Sequence, residues 1–326
     1  MISLDVASDP FVESVEQRLG AILHRAPVSE PVAGQSIWSA ARYTTLAGAA
    51  KRVRPRLVLS FGRAIGAPPD ALLDLAAASE LIHAASLVHD DVIDEGALRR
   101  GQPTVNVKWG NISAVLCGDL MFSVSFAQLA RHASGVMSTA VSVLTEMSCA
   151  AIDEVHARGS TGLSVRDWRA IAVGKTGALM GWCASAPARL VGDELAAESF
   201  EVCGRHLGVA FQLTDDIKDL VTDDGKDRFS DIRNQNPSFP LSWTFAHAPE
   251  AARGIHAAWQ SGNADVERLG RAVIEAGALE AAKAALSREV EAALEALGAH
   301  RGRSELVTVE RWATGLLEAV LGGTSR

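Results

Sequence analysis

The chain has 326 residues, of which 48% are hydrophobic and 21% are charged. This composition is typical of a folded protein with a sizeable core and excludes extensive disorder. The formal net charge of −8 argues against nucleic acid as a partner and against a basic membrane-docking surface, so an anionic substrate requires local clusters of cations.

The longest apolar stretches, 71–88 and 177–190, are interrupted by charged residues or by proline, such as Asp74 and Pro187. The sequence therefore predicts no transmembrane segment. The N-terminus, Met1-Ile2-Ser3-Leu4-Asp5, lacks the basic and apolar regions of a signal peptide, and we expect none.

Four cysteines lie far apart and form no CxxC motif; they are Cys117, Cys149, Cys183 and Cys203. We expect small buried core residues in a reducing cytoplasm rather than a disulfide or a zinc site.

Apolar residues recur at helical spacing along nearly the whole chain, whereas sustained period-two alternation is missing. This pattern predicts an all-α fold. Although the length allows two average domains, we find no linker and no clear repeat. We therefore predict one large helical bundle spanning residues 1–326.

Helix start and stop signals divide the chain up to residue 110 into predicted helices and loops. Asp9-Pro10 opens a predicted helix that runs through Leu23, and a loop is predicted around 27–34. A helix from Pro55 to about residue 65 follows a basic cluster, Lys51, Arg52 and Arg54. Asp70 is the predicted N-cap of a long helix that continues to Asp94, and residues 94–110 are predicted to form a loop.

Beyond residue 110, helices are predicted at about 112–132, 136–158, 165–190 and 195–221. A polar loop is predicted from Thr222 to Pro240, and residues 242–326 are predicted to form packing helices without a chemical role.

Two acidic runs end long apolar helices, Asp90-Asp91-Val92-Ile93-Asp94 and Asp215-Asp216-Ile217-Lys218-Asp219. Residues i and i+4 share a helix face, so each run presents paired carboxylates. One such run alone is usually a solvated acidic face. Two runs opposed across a cavity are predicted to bind a polyphosphate through Mg²⁺, which prefers a few carboxylates, water and phosphate oxygens.

Five motifs in order resemble those of the trans-isoprenyl diphosphate synthases, with a pattern most similar to the long-chain polyprenyl synthases. They are Gly48-Ala49-Ala50-Lys51-Arg52-Val53-Arg54-Pro55, the segment from Leu87 to Thr104 with its Arg99-Arg100-Gly101 turn, Gly118-Asp119, Lys175-Thr176, and Phe211 to Asp219. The resemblance covers residues 48–241 and implies the isoprenoid synthase bundle around a central apolar cavity. It also implies a homodimer.

The resemblance implies a role for each matching residue. Three Mg²⁺ ions on the allylic diphosphate would be held by Asp90, Asp94 and Asp215, supported by Asp91, Asp216 and Asp219. Arg99 and Lys175 would contact this diphosphate, with Lys226 nearby. The diphosphate of isopentenyl diphosphate would be bound by Lys51, Arg54, His83 and Arg100, although His83 also fits an internally satisfied helix histidine. Thr176 and Gln212 would lie beside the reacting carbons.

The implied activity is condensation of isopentenyl diphosphate with an allylic prenyl diphosphate. Product length depends on what blocks the apolar shaft below the first acidic run. Ala85 and Ser86 are small, with Ile82 as the next obstacle, so we predict a product of twenty carbons or more. Alternatively, Ala85 and Ser86 only pack against a neighbouring helix.

Two departures from the family pattern keep other functions open. Asn236 stands where the family has a lysine, although Arg228 or Arg233 could replace that cation, and Ala49-Ala50 replaces a Gly-Gly pair. One alternative is a terpene synthase that cyclises or eliminates a prenyl diphosphate. It is disfavoured by an aromatic content of only 5%. The other is a non-catalytic subunit of a heteromeric synthase, and the retention of all six aspartates argues against it.

Overall fold

The structure, a computed structural model, describes residues 10–24, 32–46, 51–221, 228–262 and 265–321. The described chain is almost entirely helical, which confirms the all-α prediction. The helices are α1 (Pro10–Leu23), α2 (Val32–Leu46), α3 (Val53–Ala64), α4 (Pro69–Ile93), α5 (Val105–Trp109), α6 (Asn111–Leu129), α7 (Ser134–Ala157), α8 (Val165–Ala172), α9 (Ala178–Val191), α10 (Glu194–Val221), α11 (Ser230–Asn234), α12 (Phe239–His247), α13 (Pro249–Ser261), α14 (Val266–Glu275), α15 (Ala278–Ala296) and α16 (Val307–Leu321).

Four short elements are described besides these helices. A π-helical turn, Val173–Gly177, joins α8 to α9, and a 3-10 turn, Gly298–His300, follows α15. Strands β1 (Leu98–Arg99) and β2 (Gln102–Pro103) pair antiparallel.

The described residues form two compact units. The N-terminal unit comprises those within Ser3–Ala140 and Cys183–Glu198, and the C-terminal unit comprises those within Val141–Trp182 and Ser199–Arg326. The prediction of a single domain over 1–326 stays a prediction.

In the N-terminal unit, α4 packs mainly against α6 and α3. Pro69 begins α4, because its fixed φ suits the first helical position and its missing N–H costs no hydrogen bond there. The helix passes through a core of Leu75, Leu81 and Ile82 and carries the first acidic run to its C-terminal end. Gly118 of α6 lets the two helices approach, since a Cβ there would lie 2.1 Å from the His89 ring.

In the C-terminal unit, small residues bring the start of α9 against α10. A Cβ on Gly208 would lie 2.5 Å from the Cα of Gly177, and one on Gly204 would lie 2.7 Å from the Cα of Gly181. This backbone contact fixes the π-helical turn beside the segment that leads to the second acidic run. A separate apolar cluster, which includes Leu220, Phe229, Ile232, Leu241 and Ile255, packs α11 to α13 around the end of α10.

Several predicted boundaries are wrong. Helix α2, already formed at Val32, lies partly inside the loop predicted at 27–34, and Pro68 rather than Asp70 is the N-cap of α4. The loop predicted at 94–110 contains a β-hairpin and α5, and the helix predicted at 165–190 is interrupted by the π-helical turn. The loop predicted from Thr222 to Pro240 contains α11 and the start of α12.

The cysteine prediction is correct for three residues. All four cysteines are free thiols, and Cys117, Cys183 and Cys203 are buried. Burial raises the pKa of each of these three thiols to about 12, so they remain protonated. Cys149 is exposed, so the expectation of burial is wrong for this residue.

Three described helices, α4, α6 and most of α7, have the length and apolar composition of a membrane span. In α4, 72% of the apolar stretch is buried inside the protein, compared with 39% in α6 and 28% in α7. The absence of a transmembrane segment therefore stays a prediction.

Candidate active site

The first acidic run lies at the C-terminal end of α4, and its aspartates have different environments. Asp90 is partly exposed and Asp94 is exposed, whereas Asp91 is buried. Asp94 is the C-cap of α4, and its amide donates to the carbonyl oxygen of Asp90 at 2.8 Å. The end of the helix thus presents the carboxylates of Asp90 and Asp94 to solvent and directs that of Asp91 inward.

Asp91 is bound by Arg99. The Arg99 Nε donates to both carboxylate oxygens at 3.0 Å, and its Nη2 donates to Oδ1 at 2.7 Å. A guanidinium fork matches a carboxylate in this way, and such bidentate pairs are the stronger ion pairs. Arg99, which was predicted to contact the allylic diphosphate, therefore anchors the loop after α4 to the end of that helix.

A two-residue hairpin turn places Arg100 beside this pair. Both central residues have positive φ, 53° at Arg100 and 75° at Gly101, as a tight antiparallel hairpin requires. Positive φ is unfavourable for arginine, and strained backbone of this kind concentrates at functional sites. Thr104 and Asn106 hold the loop, because their side chains donate to the carbonyl oxygen of Gly96 at 2.7 Å and 3.2 Å.

A pocket lies within the N-terminal unit, between α2, α4 and this hairpin. The residues of α4 that line the pocket recur at helical spacing, and Asp91 is the last of them. The charged side chains that line the pocket are Arg52, Arg99, Arg100, Glu80 and Asp91, and His83 lies with them. Lys51, Asp90 and Asp94 are not among its lining residues.

Some arginines at this pocket have a carboxylate partner and others do not; Arg54 does not line the pocket but interacts electrostatically with Glu80 and Arg100, which do. Arg52 is bound by Glu80 and by Glu16, the latter at 2.6 Å. In contrast, Arg54 and Arg100 have no carboxylate within ion-pair distance among the residues that the structure describes. The Nε of Arg54 is buried and has no hydrogen-bond acceptor within the described part of the chain. A buried donor without an acceptor is costly, so this position favours an anionic ligand.

His83 lies among these cations. Burial, together with Arg54, Arg100, Arg99 and Arg52, holds the pKa of His83 well below 6.5. The imidazole is therefore neutral at pH 7 and contributes a hydrogen-bonding group rather than a charge.

The second acidic run, near the end of α10, repeats the arrangement of the first. Asp215 is exposed, with its Oδ1 3.8 Å from the Lys218 ammonium, whereas Asp216 is buried. The Asp216 carboxylate accepts from the backbone amide of Phe239 at 2.8 Å and from Nε2 of Gln212 at 3.0 Å. In each run, therefore, the second aspartate has a structural partner.

Asp219 has a structural role as well. Its carboxylate accepts from the amide of Ser230 at 2.9 Å and from that of Asp231 at 3.3 Å, at the beginning of α11. Carboxylates stabilise this end of a helix by satisfying amides that have no partner within it. Asp219 therefore joins the end of α10 to the beginning of α11.

Burial is the main cause of the pKa shifts of Asp216 and Asp231. It raises the pKa of Asp216 to about 7, and it holds the pKa of Asp231 well above the usual range, with further contributions from Asp216 and Asp219. Asn236, which stands where a lysine was expected, donates its backbone amide to the carbonyl oxygen of Asp231 at 2.9 Å. A neutral side chain thus lies next to Asp231 at this position.

The candidate replacements for the missing lysine differ in position. Arg228 donates to the carbonyl oxygen of Leu220 at 2.7 Å and lies over the Phe229 ring, so it caps the end of α10. Arg233 is exposed on α11. Lys226, which was predicted to bind substrate, lies outside the described residues, as do Ala49 and Ala50.

Lys175 and Thr176 lie on the π-helical turn, and single π-helical turns occur frequently at functional sites. The Thr176 hydroxyl donates to Oε1 of Gln212 at 3.4 Å, and Gln212 donates in turn to Asp216. This chain of hydrogen bonds fixes the amide orientation of Gln212 and leaves lone pairs of the Thr176 oxygen for another group. Lys175 forms an ion pair with Glu154 of α7.

The predicted chain-length residues are on α4. Ile82 and Ala85 are buried, and Ser86 donates to the carbonyl oxygen of His83 at 2.9 Å. None of the three lines the pocket described above, whose α4 wall is formed by other faces of the helix. Their role in limiting product length stays a prediction.

The donor set suits Mg²⁺ rather than a metal that needs a closed protein cage. Among the described residues, no group of three or more histidine, cysteine, aspartate or glutamate side chains converges on one point. Asp90, Asp94 and Asp215 instead present carboxylates toward solvent at helix ends. Mg²⁺ commonly keeps its waters and binds through one or two carboxylates together with substrate phosphate, which such an arrangement permits.

Two sets of contacts were not predicted from the sequence. The structural partners of Asp91 and Asp216 were not predicted, and neither was Glu154. Phe239 and Glu154 are each more than twenty residues from the residue that they bind, and no local pattern marks them. Arg99 offered a signal, because a forked cation lay eight residues after Asp91 in a short loop.

Comparison with known proteins gives a consistent result. The family model described as Polyprenyl synthetase matches residues 35–276. Octaprenyl diphosphate synthase of Escherichia coli (strain K12) is 32% identical over 266 residues, which cover 78% of this chain and 81% of that protein. (2E,6E)-farnesyl diphosphate synthase of Mycobacterium tuberculosis (strain ATCC 25618 / H37Rv) is 36% identical over 219 residues, covering 64% and 60%. The crystal structure of a decaprenyl diphosphate synthase from Rhodobacter capsulatus aligns with a TM-score of 0.87 at 27% identity, over 95% of this chain and 96% of that one.

Proposed function

Because this chain belongs to the polyprenyl synthetase family and is a trans-prenyltransferase, we propose that it elongates an allylic prenyl diphosphate with isopentenyl diphosphate in a Mg²⁺-dependent reaction. The product is a trans-polyprenyl diphosphate of about twenty carbons or more, with each isoprene unit about one helical turn in length.

One observation carries this proposal, namely the excess of cations around the N-terminal pocket. Arg54 and Arg100 have no carboxylate partner among the described residues, and a buried Nε of Arg54 has no acceptor there. An enzyme that only ionises one prenyl diphosphate has no use for a second diphosphate site. These arginines, with Lys51 and the neutral His83, are therefore assigned to the diphosphate of isopentenyl diphosphate.

The residues of the C-terminal unit are assigned to the allylic substrate. Lys175 binds its diphosphate and stabilises negative charge as the allylic C–O bond breaks, with the electron pair passing to the diphosphate oxygen. The Thr176 oxygen, whose proton is directed to Gln212, offers lone pairs to the electron-poor carbons. The double bond of isopentenyl diphosphate then attacks the allylic cation and forms the new C–C bond. The isopentenyl unit loses a proton as its new double bond forms, and the released diphosphate accepts that proton.

Asp90, Asp94 and Asp215, the solvent-accessible aspartates, are the residues proposed to hold Mg²⁺. Bound Mg²⁺ supplies Lewis-acid stabilisation of the departing diphosphate. Asp91, Asp216 and Asp219 support them by fixing the ends of α4 and α10 through Arg99, Phe239 and Ser230. The resemblance gives these three aspartates a supporting role at the Mg²⁺ ions, and these contacts are the proposed means of that support.

The proposed product length depends on the small side chains of Ala85 and Ser86. The named relatives make products on both sides of the proposed limit, since they include farnesyl, octaprenyl and decaprenyl diphosphate synthases. A larger side chain at residue 85 is proposed to obstruct the growing chain, and Ile82 is the next obstacle.

The test is a primer panel. Purified protein is incubated with Mg²⁺, labelled isopentenyl diphosphate and, separately, allylic diphosphates of five, ten, fifteen and twenty carbons, and the products are sized. Labelled products longer than the primer support the proposal. Hydrocarbon released from primer alone indicates the cyclase, and no reaction with any primer indicates a non-catalytic subunit.

We also propose that the protein is a homodimer in which a second copy covers α6. Ile112 is 80% exposed on this helix, and Val115 and Leu116 are also exposed, so an apolar face has no cover from the residues that the structure describes. Sedimentation velocity is expected to give a dimer for the wild type and a smaller species for Ile112→Asp. A wild-type monomer that floats with phospholipid vesicles would instead identify a membrane as the cover.

A further inference from the structure

The ion pair between Glu154 and Lys175 joins α7 to the π-helical turn within the C-terminal unit. Both side chains are largely withdrawn from solvent, with 21% of Glu154 and 28% of Lys175 exposed. Water and ions screen charges less at such positions than at the surface. The Glu154 carboxylate therefore affects both where the Lys175 ammonium points and how strongly that ammonium attracts other anions.

The local backbone is shaped to allow this contact. Gly174 precedes Lys175, and a Cβ on it would lie 2.6 Å from the Cβ of Ala150 on α7. Glu154 is one helical turn after Ala150 and therefore lies on the same face of α7. The absence of a side chain at residue 174 thus lets α7 approach closely enough for Glu154 to meet Lys175.

Glu154 belongs to an acidic neighbourhood. Its charge raises the pKa of Asp231, which is raised mainly by burial and also by Asp216 and Asp219. A carboxylate added to several others is unfavourable unless a cation compensates it, and Lys175 supplies that cation. The pair is therefore a built element of the C-terminal unit rather than a surface contact.

We propose that Glu154 is a positioning residue for the allylic half of the reaction. An ammonium has three donors, so Lys175 can remain bound to Glu154 while it donates to a diphosphate oxygen. Glu154 thereby limits the conformations of the Lys175 side chain, and its negative charge weakens the attraction of Lys175 for diphosphate. This inference rests on the proposed function, in which Lys175 binds the allylic diphosphate.

Two variants distinguish the effect of Glu154 on the conformation of Lys175 from its effect on the attraction of Lys175 for diphosphate. Glu154→Gln keeps a hydrogen-bond acceptor for Lys175 but removes the charge, so kcat is expected to stay within about threefold and inorganic pyrophosphate with Mg²⁺ to bind about fivefold more tightly. Glu154→Ala removes the acceptor as well, so kcat is expected to fall about tenfold or more. The KM for isopentenyl diphosphate is expected to remain unchanged in both variants.

Glu146→Gln is the matched control, because Glu146 lies earlier on α7 and its carboxylate pairs with Arg205, at 2.6 Å and 2.9 Å, rather than with Lys175. Its kinetics and pyrophosphate affinity are expected to match those of the wild type. Thermal unfolding of each variant shows whether a kinetic change merely follows a loss of stability.

The outcomes separate this inference from the proposed function. A wild-type protein that does not elongate any primer contradicts the proposed function itself. If the wild type elongates primers, then equal kcat values for Glu154→Gln, Glu154→Ala and the wild type overturn the positioning role. A parallel loss of kcat and thermal stability in both Glu154 variants also overturns it, because the role is then structural.

Discussion

Arg99 binds Asp91 through both carboxylate oxygens, and this pair closes the loop that follows α4. The second acidic run has a counterpart, in which Asp216 accepts from the Phe239 amide. In both runs the buried second aspartate orders the chain, while Asp90, Asp94 and Asp215 remain accessible to solvent. A motif that looks uniform in sequence therefore has two different physical roles.

This division predicts different effects for adjacent aspartates. Asp90→Asn is expected to lower kcat by about 100-fold or more with little change in thermal stability, because it removes charge stabilisation at an accessible position. Asp91→Asn removes the buried charge that binds the Arg99 fork, so it is expected to lower stability by about 1 to 3 kcal/mol. Thermal unfolding and steady-state kinetics of the two variants measure both effects.

Equal losses of stability in Asp90→Asn and Asp91→Asn would contradict this division. Full activity in Asp90→Asn combined with Asp94→Asn would contradict the proposed Mg²⁺ assignment. Both experiments use isosteric substitutions, so neither introduces a cavity that complicates the comparison.

The arginines around the N-terminal pocket are expected to act on one substrate only. Arg100→Gln and Arg54→Gln each remove a cation assigned to isopentenyl diphosphate, so the KM for this substrate is expected to rise about tenfold or more. The KM for the allylic primer is expected to change less than about threefold. Arg63→Gln is the control, since Arg63 is exposed at the other end of α3. Equal increases in both KM values would reject the assignment.

Product length is expected to respond to the residue at position 85. Ala85→Phe places a ring at a fully buried position on α4, and the product is expected to become shorter by at least one isoprene unit. Overpacking alone also costs about 1 to 3 kcal/mol. Ala76→Phe controls for this cost, because Ala76 is equally buried on the opposite face of α4. Unchanged product length in Ala85→Phe, measured by chromatography, rejects the shaft assignment.

His83 predicts a pH dependence of stability. The pKa of His83 lies well below 6.5 in the folded protein, so the unfolded chain binds the proton more readily. The stabilisation associated with the neutral ring is complete above pH 6.5 and is lost as the pH falls toward the folded pKa. Between about pH 7.5 and about pH 5.5, the loss in unfolding free energy is expected to be about 1 kcal/mol smaller for His83→Gln than for the wild type.

Urea unfolding of metal-free protein at the two pH values measures this difference. His256→Gln is the control, because His256 is exposed on α13. If the wild type and His83→Gln lose the same unfolding free energy between the two pH values, groups other than His83 govern the acid response.

The sequence predicted those parts of the structure that local rules govern. Helical periodicity located α4 and α10, and the i, i+4 rule placed Asp90 and Asp94 together at a helix end. The roles of Asp91 and Asp216 depend on Arg99 and Phe239, which reach them only through the fold. The contact between Glu154 and Lys175 depends on how closely α7 approaches Gly174. A cytoplasmic location remains a prediction.

Elements that are short, or that have only a weak apolar pattern, were also not predicted from the sequence. Helix α5 has five residues, which is too few for a periodic signal, and α2 mixes serine, threonine and glycine with its apolar residues. Exposure of Cys149 was also not predictable from residue type, since free cysteine is usually buried.

The stoichiometry of turnover tests the central claim most directly. Pyrophosphate release and incorporation of labelled isopentenyl diphosphate are measured together, with Mg²⁺ and a fifteen-carbon allylic primer. The proposed elongation predicts one pyrophosphate released for each isopentenyl unit incorporated, and no release when isopentenyl diphosphate is omitted. Pyrophosphate released from the primer alone, without incorporation of label, would contradict it.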